Sequence, residues 1–564
     1  MEQLGYTLAD KVEVFLGWLS NPTTQLLWMP LLGTIFIMAT PKSRQRLVKV
    51  WAVLFSGLSL LAAVLMVTGL PVAIQTLTLT FPGLGGFEWQ PFAQYLAFRP
   101  GQGFLYYQDI PWLQIQLGEI QSFGVHYTVG VDGLSLPLVV MSAAVIFLAV
   151  IWALSRTERV RDFFALTLLM EVGLLGVFVA LDYVLFYFFW ELMLIPMYFL
   201  IAGWGKRSEA AGRAAIKFFV YTMFGSVFML IAFIAMQVIS SVYTFSIPEL
   251  TGFHLTEGMA LLPLVRTLMF VGLLLGFAVK VPMFPFHTWL PDAHTEAPTE
   301  MSVILAAVML KTGSYAYLRI LYPTFPDVAY ALGPVIAFCG VVAIVYGAAV
   351  TLVQTDLKRM VAYSSISHMG FIVLGISAMN QDATVGAVFH MVGHGIVIST
   401  LFFLTGVIER RYGTRDLREL CGMLSGAPAY AVTLGVAAFA GMGLPGLVGF
   451  WGEFLVLKGT FFNNPNWTTV HVGGIDGSRY LQIVAVLAVL GILTAAVYMI
   501  NMLQRVLPGK EKGEQPAWRG FRLTDGIALV PLALAMLVLG LWPTPVLNAC
   551  SEFAYSLWAD ALRF

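Results

Sequence analysis

Fourteen apolar stretches, near residues 24–39, 48–69, 134–154, 163–181, 183–204, 214–240, 263–289, 300–321, 329–353, 360–378, 384–408, 428–460, 480–507 and 524–545, dominate this chain. Each is long enough for a helix to cross a hydrocarbon layer of about 30 Å. Inside lipid every backbone N–H and C=O must find its partner within the segment, which leaves the helix as the form for runs of this length. The predicted fold is therefore an all-α polytopic membrane protein of about 14 transmembrane helices. Composition agrees, with 59% hydrophobic and 11% charged residues over 564 positions and a mean hydropathy of +0.82. An ordinary soluble domain is excluded.

The formal net charge is zero and no long basic tract is present, so nucleic acid is not an expected partner. Cys339, Cys421 and Cys550 are too few and scattered for a disulfide framework, a zinc site or a four-cysteine iron–sulfur site. The first 23 residues, with Glu2, Asp10 and Glu13, lack the basic region and apolar core of a cleaved signal peptide. Insertion is expected to be directed by the first spanning helix.

Basic residues alternate between the connections. Lys42, Arg44, Arg46 and Lys49; Arg156, Arg159 and Arg161; Lys206, Arg207, Arg213 and Lys217; Lys358 and Arg359; Arg410, Arg411, Arg415 and Arg418; and Arg505, Lys510, Lys512, Arg519 and Arg522 fall on one side of a fourteen-helix arrangement. The positive-inside rule makes that side cytoplasmic and both termini extracytoplasmic. A bacterial plasma membrane is the expected location, with a thylakoid membrane open for a cyanobacterial chain. The long outer connection, 70–130, carries Gly and Pro signals and alternation around Val125 to Val131, predicting a structured cap with a hairpin.

Two segments are too long or too interrupted for simple spans: 263–289, which holds Lys280 between an apolar run and Pro282 and Pro285, and 428–460, interrupted by Gly441, Gly443, Pro445, Gly446 and Gly449. Broken helices in corresponding places point to inverted repeats with a site at the midplane. The expected organisation is 1–69 (two helices), 70–130 (cap), 131–162 (a third helix), 163–321 and 322–507 (two five-helix repeats), and 508–564 (last helix and tail), with the breaks in helices 7 and 12.

A lysine near a bilayer centre costs about 2.5 to 3.5 kcal/mol on insertion scales, so intramembrane charges mark function. Glu191 lies about eight residues into its span, roughly 12 Å deep, and Lys311 is similarly deep. Glu453 follows the second break. His368, His390 and His394 add imidazoles that titrate near neutrality. Together these predict a line of titratable groups, Glu191 with Lys280, then Lys311, the histidines and Glu453.

Simpler readings exist for several residues. Glu191 and Lys280 also suit a structural ion pair between helices, and Lys458 a snorkelling helix end. His390 and His394 have the i, i+4 spacing of metal ligands, but no carboxylate or cysteine is near them in the chain, so no metal is expected. HTWLPDAHTE (287–296) also looks metal-like, but reads as a loop cap at the cytoplasmic surface. Gly441, Gly443 and Gly446 match G-x-G-x-x-G only formally, because the strand–turn–helix setting of dinucleotide binding is missing. The Asn466-Trp467-Thr468 sequon reads as a chance match.

The segments GVDGLSLPLV (130–139), FFWELMLIPMYFLIAGWG (188–205), KVPMFPFHTWLPDAHTEAPT (280–299), LKTGSYAYLR (310–319) and QTDLKRMVAYSSISHMGF (354–371) are long and specific. Over about 130–460 the chain resembles the antiporter-like subunit family of bacterial NADH:quinone oxidoreductase, respiratory complex I, and within it the M-type branch. The resemblance implies proton translocation by Glu191, Lys280, Lys311, His368, His394 and Glu453. Glu453 resembles the acid that the M-type has where its sister subunits have lysine. No cofactor is implied in this chain; NADH, FMN, iron–sulfur clusters and quinone are implied in partner subunits, and L- and N-like antiporter homologues as neighbours. Glu300 departs from the family's small or apolar residue, an extra acid near the mouth of helix eight that either alters cytoplasmic proton entry or faces solvent. The D-type member of a multisubunit Na⁺/H⁺ antiporter, or the equivalent chain of a ferredoxin- or hydrogenase-linked complex, is the competing reading.

Overall fold

The computed structural model describes residues 21–68, 79–81, 87–89, 103–117, 121–206, 208–239, 244–251, 263–462, 467, 470–509 and 520–561. The acidic N-terminal stretch, much of the 70–130 cap, Arg207, Asn466, Thr468, Lys510, Lys512 and Arg519 lie outside them. Among the described residues, thirteen helices are long and apolar enough to cross a membrane. The remaining expected span, 428–460, is divided into helices of 14 and 15 residues, each short for a crossing on its own.

Two compact units divide the chain, Met1–Phe147 with Glu158–Met193 and Val242–Leu250, and Leu148–Thr157 with Leu194–Ser241 and Thr251–Phe564. In the first unit, α1 (Pro22–Ala39) and α2 (Gln45–Thr68) precede two antiparallel hairpins. β1 (Leu79–Phe81) pairs with β2 (Phe87–Trp89), and β3 (Leu105–Leu117) with β4 (Gln121–Val131), the latter in the register Leu105 to Val131 and Ile110 to Tyr127. The predicted hairpin is thus present. Asn21 caps α1 by accepting from the Thr23 amide and donates to the Tyr106 carbonyl, which ties the helix start to β3.

α3 (Ser135–Trp152) begins in this unit and is followed there by α4 (Val160–Val179) and α5 (Tyr183–Leu192). Asp182 caps α5 by accepting from the Val184 and Leu185 amides at 2.9 and 3.0 Å. Its carboxyl is pushed up to about 6 by burial, against the pull of the Leu185, His126 and Val184 amides and the His126 ring. α4 and α5 pack closely because a side chain at Gly176 would meet the Phe189 ring at 2.3 Å.

The second unit carries α6 (Leu194–Trp204), α7 (Ser208–Ile239) and α8 (Pro263–Lys280), which stops at the first break. The chain resumes as α9 (Trp289–Glu296), then α10 (Thr299–Thr324), α11 (Pro326–Leu352), α12 (Leu357–Ser377) and α13 (Gln381–Tyr412). α14 (Pro428–Gly441) and α15 (Val448–Phe462) flank the second break, where Gly443 and Gly446 have φ of +72° and +92°. Those values favour glycine, which meets no Cβ penalty there. α16 (Gly477–Val506), α17 (Leu523–Leu541) and α18 (Thr544–Ala561) complete the unit. The predicted C-terminal tail is largely this last helix, anchored by the Trp558 indole donating to Thr384 Oγ1 at 2.8 Å.

Two surface expectations change. HTWLPDAHTE is mostly helix where a loop was expected, with His294 fully buried and stacked on Phe402 at 4.9 Å between ring centroids, while Asp292 stays partly exposed and pairs with Lys217 at 2.7 Å. Glu300 is buried at the start of α10, where Arg156 grips both its oxygens at 2.6 and 3.0 Å. Lys458, at a helix end as expected, pairs with Asp382 at 3.0 Å.

Candidate functional site

Lys280 is the last residue of α8 and 1% exposed. A helix C-terminus presents unsatisfied carbonyls, and a cation there is favoured by the dipole. Pro282 supplies no amide to cover those carbonyls. The Trp289 indole covers one by donating to the Val279 carbonyl at 3.0 Å, across the break. The Lys280 ammonium lies 5.8 Å from the centre of the Phe218 ring, within cation–π range. A side chain at Gly313 on α10 would sit 3.1 Å from the Lys280 Cβ, so the glycine permits α8 and α10 to approach just beyond Lys311.

Lys311 is fully buried. Its Nζ donates to the Ala306 carbonyl at 2.7 Å and lies 2.6 Å from Nδ1 of His394 on α13. The helix is π-helical over Leu305–Met309, and this local widening accompanies the carbonyl that Lys311 uses. With lysine as the ammonium, the His394 Nδ1 lone pair accepts. With lysine neutral, the imidazolium donates. Either way one hydrogen bond is available for a proton to cross.

His368 on α12 follows, its ring centre 5.2 Å from that of His394 and 5.4 Å from that of His390. Its Nδ1 stands 3.3 Å from Glu453 Oε1, close enough for pairing but not aligned as a hydrogen bond. A cavity of about 10 Å³ lined by His368, His390, His394 and Glu453 has room for about one water. Glu453 on α15 reaches this place because α13 and α15 pack through glycine. A side chain at Gly452 would meet the His390 Cβ at 2.6 Å, and one at Gly443 would meet Glu453 Oε2 at 2.4 Å.

Of the expected residues, Lys311, His368, His394 and Glu453 are therefore brought together with His390. Glu191 belongs to the first unit, where its Oε1 is shielded and without a hydrogen-bond partner, and Lys280 belongs to the second. Glu171, also in the first unit, is an acid that carried no expectation from sequence. It is completely buried, with one oxygen accepting from Ser56 at 3.1 Å. Its signal is the one that marks Glu191, a carboxylate inside an apolar run. Trp289 and the Ala306 carbonyl have no such signal.

A second group of charges gathers where basic residues were expected. Lys206 pairs with Glu409 at 2.7 Å, Arg415 with Asp356 at 3.1 Å, and Arg410 with Asp525 at 2.5 Å while lying 4.2 Å over the Trp152 ring. Lys358 is buried and donates to the Ala297 carbonyl.

Residues 180–479, which hold every charged group of the expected line, match the family model described as NADH:quinone oxidoreductase/Mrp antiporter, TM. The chain belongs to this family. Among relatives of the antiporter-like subunit, NADH-quinone oxidoreductase subunit M of Escherichia coli (strain K12) is 38% identical over 453 residues, covering 78% of this chain and 82% of the relative. Subunit M of Pseudomonas aeruginosa is 36% identical over 460 residues, 80% of this chain and 86% of the relative. A chain of respiratory complex I from Thermus thermophilus with bound NADH superposes with a TM-score of 0.75 at 26% identity, over 96% of this chain and 99% of that one. A chain of the Mrp complex from Dietzia sp. DQ12-45-1b gives 0.72 at 19% identity, over 96% and 97%, which establishes shared fold alone.

The antiporter-like subunit is accordingly a multi-pass membrane protein and a proton-pumping membrane-arm subunit of NADH-quinone oxidoreductase. It works within a multisubunit complex beside other membrane-arm subunits. The Na⁺/H⁺ antiporter alternative has the weaker support, since relatives named subunit M are far closer in sequence than the Mrp chain.

Proposed function

We propose that protons cross the membrane through Lys311, His394, His368 and Glu453, with Lys280 and Glu191 setting when Lys311 gains and loses its proton. The supporting observation is the 2.6 Å contact between Lys311 and His394, continued towards Glu453 by His368. In a low-dielectric interior each charge depends strongly on its neighbour. A proton passed from the Lys311 ammonium to His394 leaves a neutral amine and an imidazolium. That imidazolium passes its proton through His368 to the Glu453 carboxylate, which becomes a neutral acid. Glu191 and Lys280 act here as the counter-charges that the resemblance implies, and a change in the charge of either shifts the balance at Lys311.

In this reading the chain is the translocase part of the enzyme and carries no redox chemistry. NADH, FMN, iron–sulfur clusters and quinone are handled by partner subunits, and L- and N-like homologues flank it in the membrane arm. Both termini are extracytoplasmic in a bacterial plasma membrane, as the basic connections require. The test is NADH-driven proton uptake into inverted vesicles, measured beside NADH:quinone electron transfer, for complexes carrying His394→Asn or Glu453→Gln. Pumping per electron falls in assembled variants. Unchanged pumping removes the substituted residue from the path.

A further inference from the structure

His390 is 2% exposed and both its ring nitrogens lack a hydrogen-bond partner. A buried imidazole is ordinarily satisfied, so two bare nitrogens need an explanation. Around it the fold gathers what the local sequence lacks. One donor atom each from His368, His390 and Glu453 lies within 4.8 Å of the others, and all three residues are buried. They come from three helices, α12, α13 and α15, and the cavity beside them has room for about one water. No metal was expected from the sequence because no carboxylate stood near His390 and His394 in the chain. Glu453 now fills that place.

We propose that His368, His390 and Glu453 form a site for a divalent transition cation of the zinc class. Two neutral imidazoles and a carboxylate, with a water in the fourth position, are a donor set that zinc accepts. Tetrahedral zinc, with bonds of about 2.0 to 2.1 Å, holds its ligand atoms about 3.3 Å apart. The cluster needs to close by about 1.5 Å at most, which the torsions of the Glu453 side chain and the imidazole rings supply. The cation's double charge meets one carboxylate and no lysine in the ligand set. Softer selectivity for imidazole disfavours magnesium and calcium, which prefer oxygen-only sites. An ion here takes up the lone pairs on His368 and Glu453 that a proton would otherwise use, so metal loading and proton passage exclude each other.

The experiment uses the whole purified complex, stripped with a chelator and titrated with Zn²⁺ while bound zinc is counted per complex. Wild type is compared with His390→Gln, which removes a ligand, and His390→Cys, which keeps a ligand atom. Wild type and His390→Cys bind one more tight Zn²⁺ than His390→Gln, or bind it at least tenfold more tightly. Equal number and affinity in His390→Gln overturns the site. Should that variant fail to assemble, zinc-edge X-ray absorption of the reloaded wild-type complex decides the matter. Zinc with two imidazoles and oxygen supports the site, and the absence of such a centre overturns it. Loss of pumping in a Glu453 variant bears on the proton path and leaves the metal count as an independent result.

Discussion

Lys311 Nζ and His394 Nδ1, eighty-three positions apart in the chain, lie 2.6 Å from each other inside the protein. Both residues are almost wholly shielded, so whichever charge they share is held by one hydrogen bond and the Ala306 carbonyl. In the proposed path this pair holds a proton and hands it on across that one hydrogen bond.

Lys311→Arg keeps the positive charge but substitutes a group that does not release its proton in proteins. If Lys311 only anchors the fold, this variant pumps. The expectation is a loss of pumping on the order of 10²-fold, the usual contribution of a positioned proton donor, with the subunit still assembled. Proton uptake by inverted vesicles, normalised to assembled complex, checks it.

Lys280→Ala and Glu191→Ala are expected to abolish or greatly reduce pumping while assembly survives. Moving one charge through 100 mV is worth about 2.3 kcal/mol, so tight coupling makes electron transfer slow as well. Paired measurements of quinone reduction and proton uptake separate a slowed enzyme from an uncoupled one. Normal values for both would remove these residues from the mechanism.

Glu300 and Arg156 form a two-pronged ion pair with the carboxylate 5% and the guanidinium 21% exposed. Removing one partner strands a buried charge and destabilises by about 3 kcal/mol. Arg156→Gln and Glu300→Gln should each lower the thermal stability of the solubilised complex, and the double variant should lose less than the sum. A thermal-shift double-mutant cycle reads the coupling. Additive losses would show that the pair is not coupled.

Asp182 gives a pH dependence of known sign. Its folded value, about 6, is raised above an unfolded value of about 3.9. The stability linked to its proton is fully present below about pH 4 and is lost as pH rises through about 6. Asp182→Asn keeps an acceptor for the Val184 and Leu185 amides and should flatten the melting temperature between those pH values. Asp182→Ala loses the cap as well, at about 1 kcal/mol. A melting profile of Asp182→Asn as steep as wild type would assign the pH effect elsewhere.

Much of the architecture was legible without coordinates. Long apolar runs require helices in lipid, and the spans, the hairpin near Val125 to Val131 and the interruptions beside Lys280 and Glu453 follow from hydropathy, alternation and Pro and Gly positions. The burial of Lys280, Lys311 and Glu453 was legible too, because each stands in an apolar run. What hydropathy does not carry is which charges meet. The loop expected at HTWLPDAHTE is a helix because polarity along a segment does not reveal that one of its faces is buried, and the setting of Glu300 stayed open because its partner lies in a distant connection. The sequence by itself determined that this chain is a bundle of membrane helices bearing buried titratable groups. Tertiary structure alone decided that Lys311 faces His394 and that Glu453 stands beside His368 and His390, since those contacts join different helices and the placing of Glu453 needs close approach at Gly452 and Gly443.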